Sequence, residues 1–199
     1  MTLLPMSTAP FEVPTNRDML PSERRTFVAT HRTCVLAYAR REHGPAQSVV
    51  YYVPTDDGEL LIATMQARAK AKAVDRLGKV SVLVLDEQWP VSYLVVYCDA
   101  VVERDPKLVV DVMMAVGERM SGQPIGEEAR PFVEQMAKDE GRVVLRCRPY
   151  ATFATPPRHL HRNDQEETIT HWLSASVPWA APDAQGNNAA VSGAAIHRP

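Results

Sequence analysis

Apolar positions change their period several times between Thr33 and Pro149, and each change marks an element. Thr33 to Arg40 is apolar and β-branched, Glu42 to Pro45 supplies turn residues, and Gln47 to Val53 returns to an extended pattern, so the spacing predicts a hairpin. Thr55-Asp56-Asp57-Gly58 is a tight-turn signal because Asp and Gly tolerate positive φ, and Glu59 to Thr64 predicts the next strand. From Met65 to Leu77 the chain becomes alanine-rich and basic. Met65, Ala69, Ala73 and Leu77 recur every four residues, which predicts a helix with a small-residue face, closed by Gly78. Val80 to Leu85 is an almost unbroken apolar run, expected of a central strand covered on both sides. A long strand from Ser92 to Arg104 follows.

The remaining segments read as helices around these strands. Ser22 to Thr30 predicts a short helix with Ser22 accepting from free N–H groups and Phe27 facing inward. Asp105-Pro106 combines an N-cap acceptor with a first-turn proline, and Leu108, Val109, Val112, Met113, Val116 and Met120 form the expected buried stripe. After the break at Gly122 to Gly126, Glu127 to Glu140 predicts another helix with acidic residues in its first turn, ended by Gly141. Arg142 to Pro149 alternates Arg142, Arg146 and Arg148 with Val143, Leu145 and Cys147, a half-exposed closing strand. Strand pairing outweighs crossover connections. The expected class is mainly β (α+β), a small barrel with peripheral helices spanning residues 21–155. Residues 1–20, with Pro5, Pro10 and Pro14, read as an arm, and residues 156–199 as a largely irregular extension. Within that extension Thr168 to Leu173 suggests a helical turn, and Asp183 to Pro199 has no core pattern and reads as a disordered tail.

Charge narrows the function classes. Twenty-two Lys and Arg against 24 Asp and Glu give a formal charge of −2, with no general attraction to nucleic acid or anionic lipid. The apolar runs fall far short of the roughly 20 residues that cross a bilayer, and the N-terminus lacks a basic start before an apolar stretch, so a cytoplasmic protein is expected. Cys34, Cys98 and Cys147 are odd in number and sit among apolar residues, which predicts buried reduced thiols. His159, His161 and His171 do not have zinc-site spacing, and no metal is expected. The chain contains no Gly-x-Ser-x-Gly elbow, no Gly-x-Gly-x-x-Gly and no Gly-rich loop ending in Lys-Ser or Lys-Thr. Any phosphate must be held by side chains and a helix end.

One segment supplies those groups. Arg68, Lys70 and Lys72 fall in the first two turns of a helix that directly follows a strand. The helix dipole disfavours cations there unless an anion compensates them. With the Thr64 hydroxyl at the strand end, the free amides, Arg68 and Lys70 could surround a phosphate. A solvated basic helix face is the competing reading.

The stretch Ser48-Val49-Val50-Tyr51-Tyr52-Val53, then Asp56-Asp57-Gly58, Leu61-Ile62-Ala63-Thr64, Arg68-Ala69-Lys70-Ala71-Lys72 and Val80 to Asp86, resembles the pyridoxamine-phosphate-oxidase-like flavin-binding split barrels. Within that group it is most similar to the branch using deazaflavin F420 or FMN. The resemblance covers roughly Pro21 to Pro149 and implies a split β-barrel. It implies a homodimer with the cofactor between subunits, and hydride transfer to an unsaturated small molecule. It places Ser48, Val50 and Tyr51 beside the ring, Arg68 and Lys70 on the phosphate, Lys72 at a commonly basic position, and Trp89 at the mouth of the site. Tyr51 stands where the family usually has Trp, Ala73 where Asn is frequent, and Cys98 where Gly is frequent. No catalytic residue is identified, and Tyr51, Tyr52 and Tyr93 are the candidate proton donors. A non-catalytic flavin- or haem-binding protein of the same fold is the alternative function.

Overall fold

A computed structural model describes residues 1–5, 11–14, 18–89, 91–155 and 176–183. In chain order its elements are α1 (Pro21–Thr30), β1 (Thr33–Tyr38), β2 (Ala46–Tyr51), β3 (Val53–Pro54), β4 (Leu60–Met65), α2 (Ala69–Leu77), β5 (Lys79–Asp86), β6 (Ser92–Glu103), α3 (Pro106–Ser121), α4 (Arg130–Asp139), β7 (Arg142–Ala154) and β8 (Val177–Pro178). The strands form one antiparallel sheet in the order β2-β1-β5-β6-β7-β4-β3, with β8 added to β7. Its centre is the pairing of β6 with β7, whose register slips between Tyr97 and Cys98, beside Pro149. A proline has no N–H for the ladder, and a bulge accommodates it. The sheet curls until β2 approaches β4, giving a half-barrel with peripheral helices, the split-barrel architecture.

Alternation along the strands sorts residues between two cores. Cross-strand pairing aligns Ser48, Leu36, Val82, Val96 and Thr152 in one row on the inner face. Phe27 and Val28 of α1 and Ala71 and Val74 of α2 are buried in the same core. On the reverse face, Val53, Leu61 and Val144 pack against Leu108, Val109, Val112 and Met114 of α3 and Val133 and Ala137 of α4. Complete burial of a residue such as Leu36 or Leu61 is worth about 1.5–3 kcal/mol, so these rows hold the curl.

Several expectations need correction. Strand pairing of Met65 with Arg142 keeps Met65 extended, and the turn closed by Arg68 N–H on the Met65 carbonyl delays the helix, so α2 starts at Ala69 and Arg68 is its N-cap. That shift changes the buried face to Ala71, Ala73 and Val74, with Leu77 half-exposed. Ser22 is not the cap of α1. Glu23 accepts from the Leu20 N–H at 2.7 Å, while both the backbone N–H and the hydroxyl of Ser22 donate to Asp183. Asp183, expected in a disordered tail, is therefore held against α1. The strand expected over Gln47 to Val53 divides at Tyr52, whose hydroxyl donates to the Val28 carbonyl. Only alternate residues of β5, Val80, Val82 and Val84, are buried, so it is not covered on both faces.

In α3 the stripe includes Val110, Met114 and Arg119, whereas Met120 is exposed. Arg119 is covered because its guanidinium donates to the Leu4 carbonyl at 2.9 Å, a contact with the N-terminal arm that local periodicity does not contain. β7 extends past Pro149 to Ala154 because β6 and β8 continue to pair with it. The three thiols are all buried, as expected. Thr168 to Leu173 lies outside the described residues.

Candidate functional site

β4 delivers Thr64 to the edge of the inner core, and the turn after Met65 then swings the chain into α2. The result is an open cleft of ≈ 610 Å³ lined by Ser48, Thr64, Arg68 and Lys70 together with Tyr38, Ala63, Met65, Ala67, Ala69 and Arg142. Four residues named from the sequence are thus brought together from β2, β4 and the start of α2. Val50 shares the inward face of β2 with Ser48, since side chains two apart point the same way, and packs on the core. Tyr51 takes the opposite face and does not line the cleft. Lys72 lines an adjoining groove, and Trp89 lies in the β5–β6 loop, 73% exposed and outside the cleft lining.

The cleft is chemically unfinished. Arg142 is paired with Glu140, but among the described residues no carboxylate pairs with Arg68, Lys70 or Lys72. Burial, followed by the neighbouring Arg68 charge, lowers the Lys70 pKa below the ordinary lysine value. Both effects penalise an ammonium that has no anion beside it. The Ser48 Oγ is buried without a hydrogen-bond partner, a state that ordinarily costs about 1–3 kcal/mol. Arg68 has extended backbone at the N-cap and no side-chain cap closes α2, so the first amides of the helix remain donors facing the same region. Two cations, a buried hydroxyl and helix-end amides are suited to a phosphate.

Two of the lining residues, Tyr38 and Arg142, are not among those expected at the site from the sequence. Tyr38 ends β1 opposite Ala46, and Arg142 begins β7 opposite Met65, so both arrive through long-range register. The charge of Arg142 was visible in the alternating pattern of its strand, but its position beside α2 was not. Of the candidate proton donors, Tyr52 is excluded: it is fully buried, its hydroxyl is bound to the Val28 carbonyl, and burial raises its pKa well above the ordinary range. Tyr93 shares a hydrogen bond with Thr155, and like Tyr51 it is not among the cleft's lining residues. His159, His161 and His171 fall outside the described residues.

A family model described as pyridoxamine 5'-phosphate oxidase matches residues 20–155. The chain belongs to the pyridoxamine 5'-phosphate oxidase family. Among solved structures of this group, a conserved hypothetical protein from Mycobacterium tuberculosis, Rv2991, is 26% identical with a TM-score of 0.63, covering 79% of this chain and 99% of that one. A haem-binding protein from Mycobacterium smegmatis shares the fold at 15% identity and a TM-score of 0.54, covering 82% of this chain and 59% of that one. A protein described as an F420 reductase is 20% identical, with a TM-score of 0.48 over 61% of this chain and 88% of that one. No curated protein matches the chain. No helix among the described residues is long and apolar enough to cross a membrane.

Proposed function

We propose that this member of the family binds the phosphate of FMN or of the deazaflavin F420 in the Arg68–Lys70 cleft and is an oxidoreductase acting on an unsaturated small molecule. The observation that carries this reading is the set of uncompensated groups gathered there: Arg68, Lys70 and the orphaned Ser48 hydroxyl, at the open amino end of α2. The residues present fit the group. Arg68 and Lys70 would hold the phosphate by charge-assisted hydrogen bonds, Thr64 lies beside them, and the side chains of Ser48 and Val50 give β2 a polar and an apolar contact for a ring. When bound, a reduced flavin or deazaflavin supplies hydride equivalents. The protein's own part is to anchor the tail, exclude water and orient an acceptor, which requires no acid–base triad.

The homodimer belongs to the same proposal and draws support from the outer face of the sheet. Pairing aligns Val49, Val35, Leu83, Val95 and Phe153 in a row of apolar residues across β2, β1, β5, β6 and β7. Val49 is 73% exposed, and a second copy seated on this row would cover it. Trp89, placed at the cofactor mouth by family resemblance, would then approach the partner's site. A cytoplasmic location is also part of the proposal. Turnover separates enzyme from binder. Purified protein with reduced F420 or reduced FMN is expected to oxidise the cofactor in the presence of conjugated enones or quinones. Tight binding without oxidation across such acceptors would overturn the enzymatic reading in favour of a non-catalytic carrier.

A further inference from the structure

The strand order ends at β3, and residues 2–4 are seated on that edge as one further antiparallel segment. The Leu4 N–H donates to the Pro54 carbonyl and the Asp56 N–H to the Thr2 carbonyl, each at 2.9 Å, while Leu3 pairs with Thr55. Neighbouring side chains of an extended segment take opposite sides. Leu3 packs on the reverse-face core, and Leu4 lines a cavity of ≈ 250 Å³ with Val28, Pro54, Leu60 and Trp179. Main-chain pairing reads no sequence, so this edge suits any extended segment that brings two apolar residues in that order.

At the end of the seat lies Arg119, only 2% exposed. Its Nη2 donates to the Leu4 carbonyl at 2.9 Å, whereas its Nη1 is buried with no hydrogen-bond partner. Among the described residues no carboxylate pairs with this guanidinium: Glu118 accepts from the Ile125 N–H, and the Tyr52 hydroxyl donates to the Val28 carbonyl. Burial lowers the Arg119 pKa below the ordinary arginine value. A guanidinium is a planar fork suited to two parallel hydrogen bonds with one carboxylate, and a single amide carbonyl meets half of it. A chain that ended at the residue in the Leu4 position would place two oxygens where the Leu4 carbonyl places one.

We propose that the β3 edge and Arg119 form a docking site for the carboxyl terminus of a partner protein, an extended segment whose last two residues are aliphatic, and that residues 2–4 occupy it in cis as a competing, imperfect ligand. The terminal carboxylate takes both nitrogens of the Arg119 fork, the last two side chains take the places of Leu3 and Leu4, and the arm is displaced. This site shares no lining residue with the cleft at Arg68 and Lys70 and is independent of the cofactor reading.

The test is a fluorescence-anisotropy titration of the full chain with a labelled Gly-Ser-Thr-Leu-Leu peptide, prepared as the free acid and as the carboxyl-terminal amide. It compares the wild type, a Leu3→Ser/Leu4→Ser variant that weakens the arm, and the same variant carrying Arg119→Gln. The arm variant is expected to bind the acid at least tenfold more tightly than the wild type does. Within the arm variant the acid is expected to outbind the amide by about ten- to a hundredfold, the range of one charge-assisted hydrogen bond. Adding Arg119→Gln is expected to bring acid and amide within twofold. The acid–amide comparison needs no change at Arg119, so it decides the matter even where Arg119→Gln unfolds. Equal affinity for acid and amide in the arm variant, or no saturable binding of either up to about 1 mM, overturns the docking site. A wild type that binds the acid as tightly as the arm variant overturns the competition in cis.

Discussion

Replacing Lys70 by Gln should make the free protein more stable and the loaded protein weaker. In the free protein Lys70 is a half-buried cation near the amino end of α2, beside Arg68 and without a carboxylate partner among the described residues. A cation in the first helical turn costs about 0.3–1 kcal/mol, so its removal should raise the melting temperature by about 1–4 °C for a domain of this size. Lys70 has a pKa lowered by burial and by Arg68, so the folded state releases its proton before the unfolded state does. Stability should therefore rise with pH between the lowered folded value and the ordinary lysine value, and be lowest below both. The Gln variant should lose that rise. With cofactor present the order reverses, because one charge-assisted hydrogen bond worth about 1.5–3 kcal/mol disappears, weakening affinity by about ten- to a hundredfold. Differential scanning fluorimetry with and without cofactor measures both effects. A variant that melts lower than the wild type in the free state and binds equally well would refute the reasoning.

Other consequences arise from the same geometry. Gly58 has φ +77°, and a Cβ there would lie 3.0 Å from Trp179 Nε1, so Gly58→Ala should cost about 1–2 kcal/mol in chemical denaturation; an unchanged midpoint would show that the turn is not constrained. Burial holds the Cys34 and Cys98 thiols above their ordinary pKa and pushes Cys147 up to about 12. Alkylation of native protein at pH 8 should leave all three unlabelled while the denatured chain labels fully, and rapid modification of Cys34 would contradict its burial. Val49→Lys, at the exposed end of the outer apolar row, should yield a monomer in sedimentation while lowering the stability of the fold by no more than about 0.5 kcal/mol. A stable dimer of that variant would place the interface elsewhere.

Much of the fold was legible because local chemistry and tertiary structure agree in it. The hairpin turn before Gly58, the Asp105-Pro106 start of α3, where Asp105 accepts from the Lys107 N–H, and the Gly78 cap of α2, with its left-handed backbone, all stand where the residues placed them. The errors cluster where a distant segment decides. Met65 stays in a strand because Arg142 pairs with it, Ser22 is drawn to Asp183, and Arg119 is buried by Leu4. The candidate site divides the same way. Arg68 and Lys70 could be named from their misplaced charge next to a strand end, and Ser48 and Thr64 from family resemblance and strand position. Tyr38 and Arg142 could not, since they reach the cleft through sheet register that a single sequence does not display.

The central claim is that Arg68 and Lys70 clamp a cofactor phosphate, and the most direct measurement is the affinity of the wild type and of Arg68→Ala/Lys70→Ala for FMN and F420, each compared with its phosphate-free analogue. The account predicts that the wild type prefers the phosphorylated form, and that the double variant loses that preference by about 3 kcal/mol or more while its affinity for the phosphate-free analogue hardly changes. A double variant that retains the preference would contradict the account.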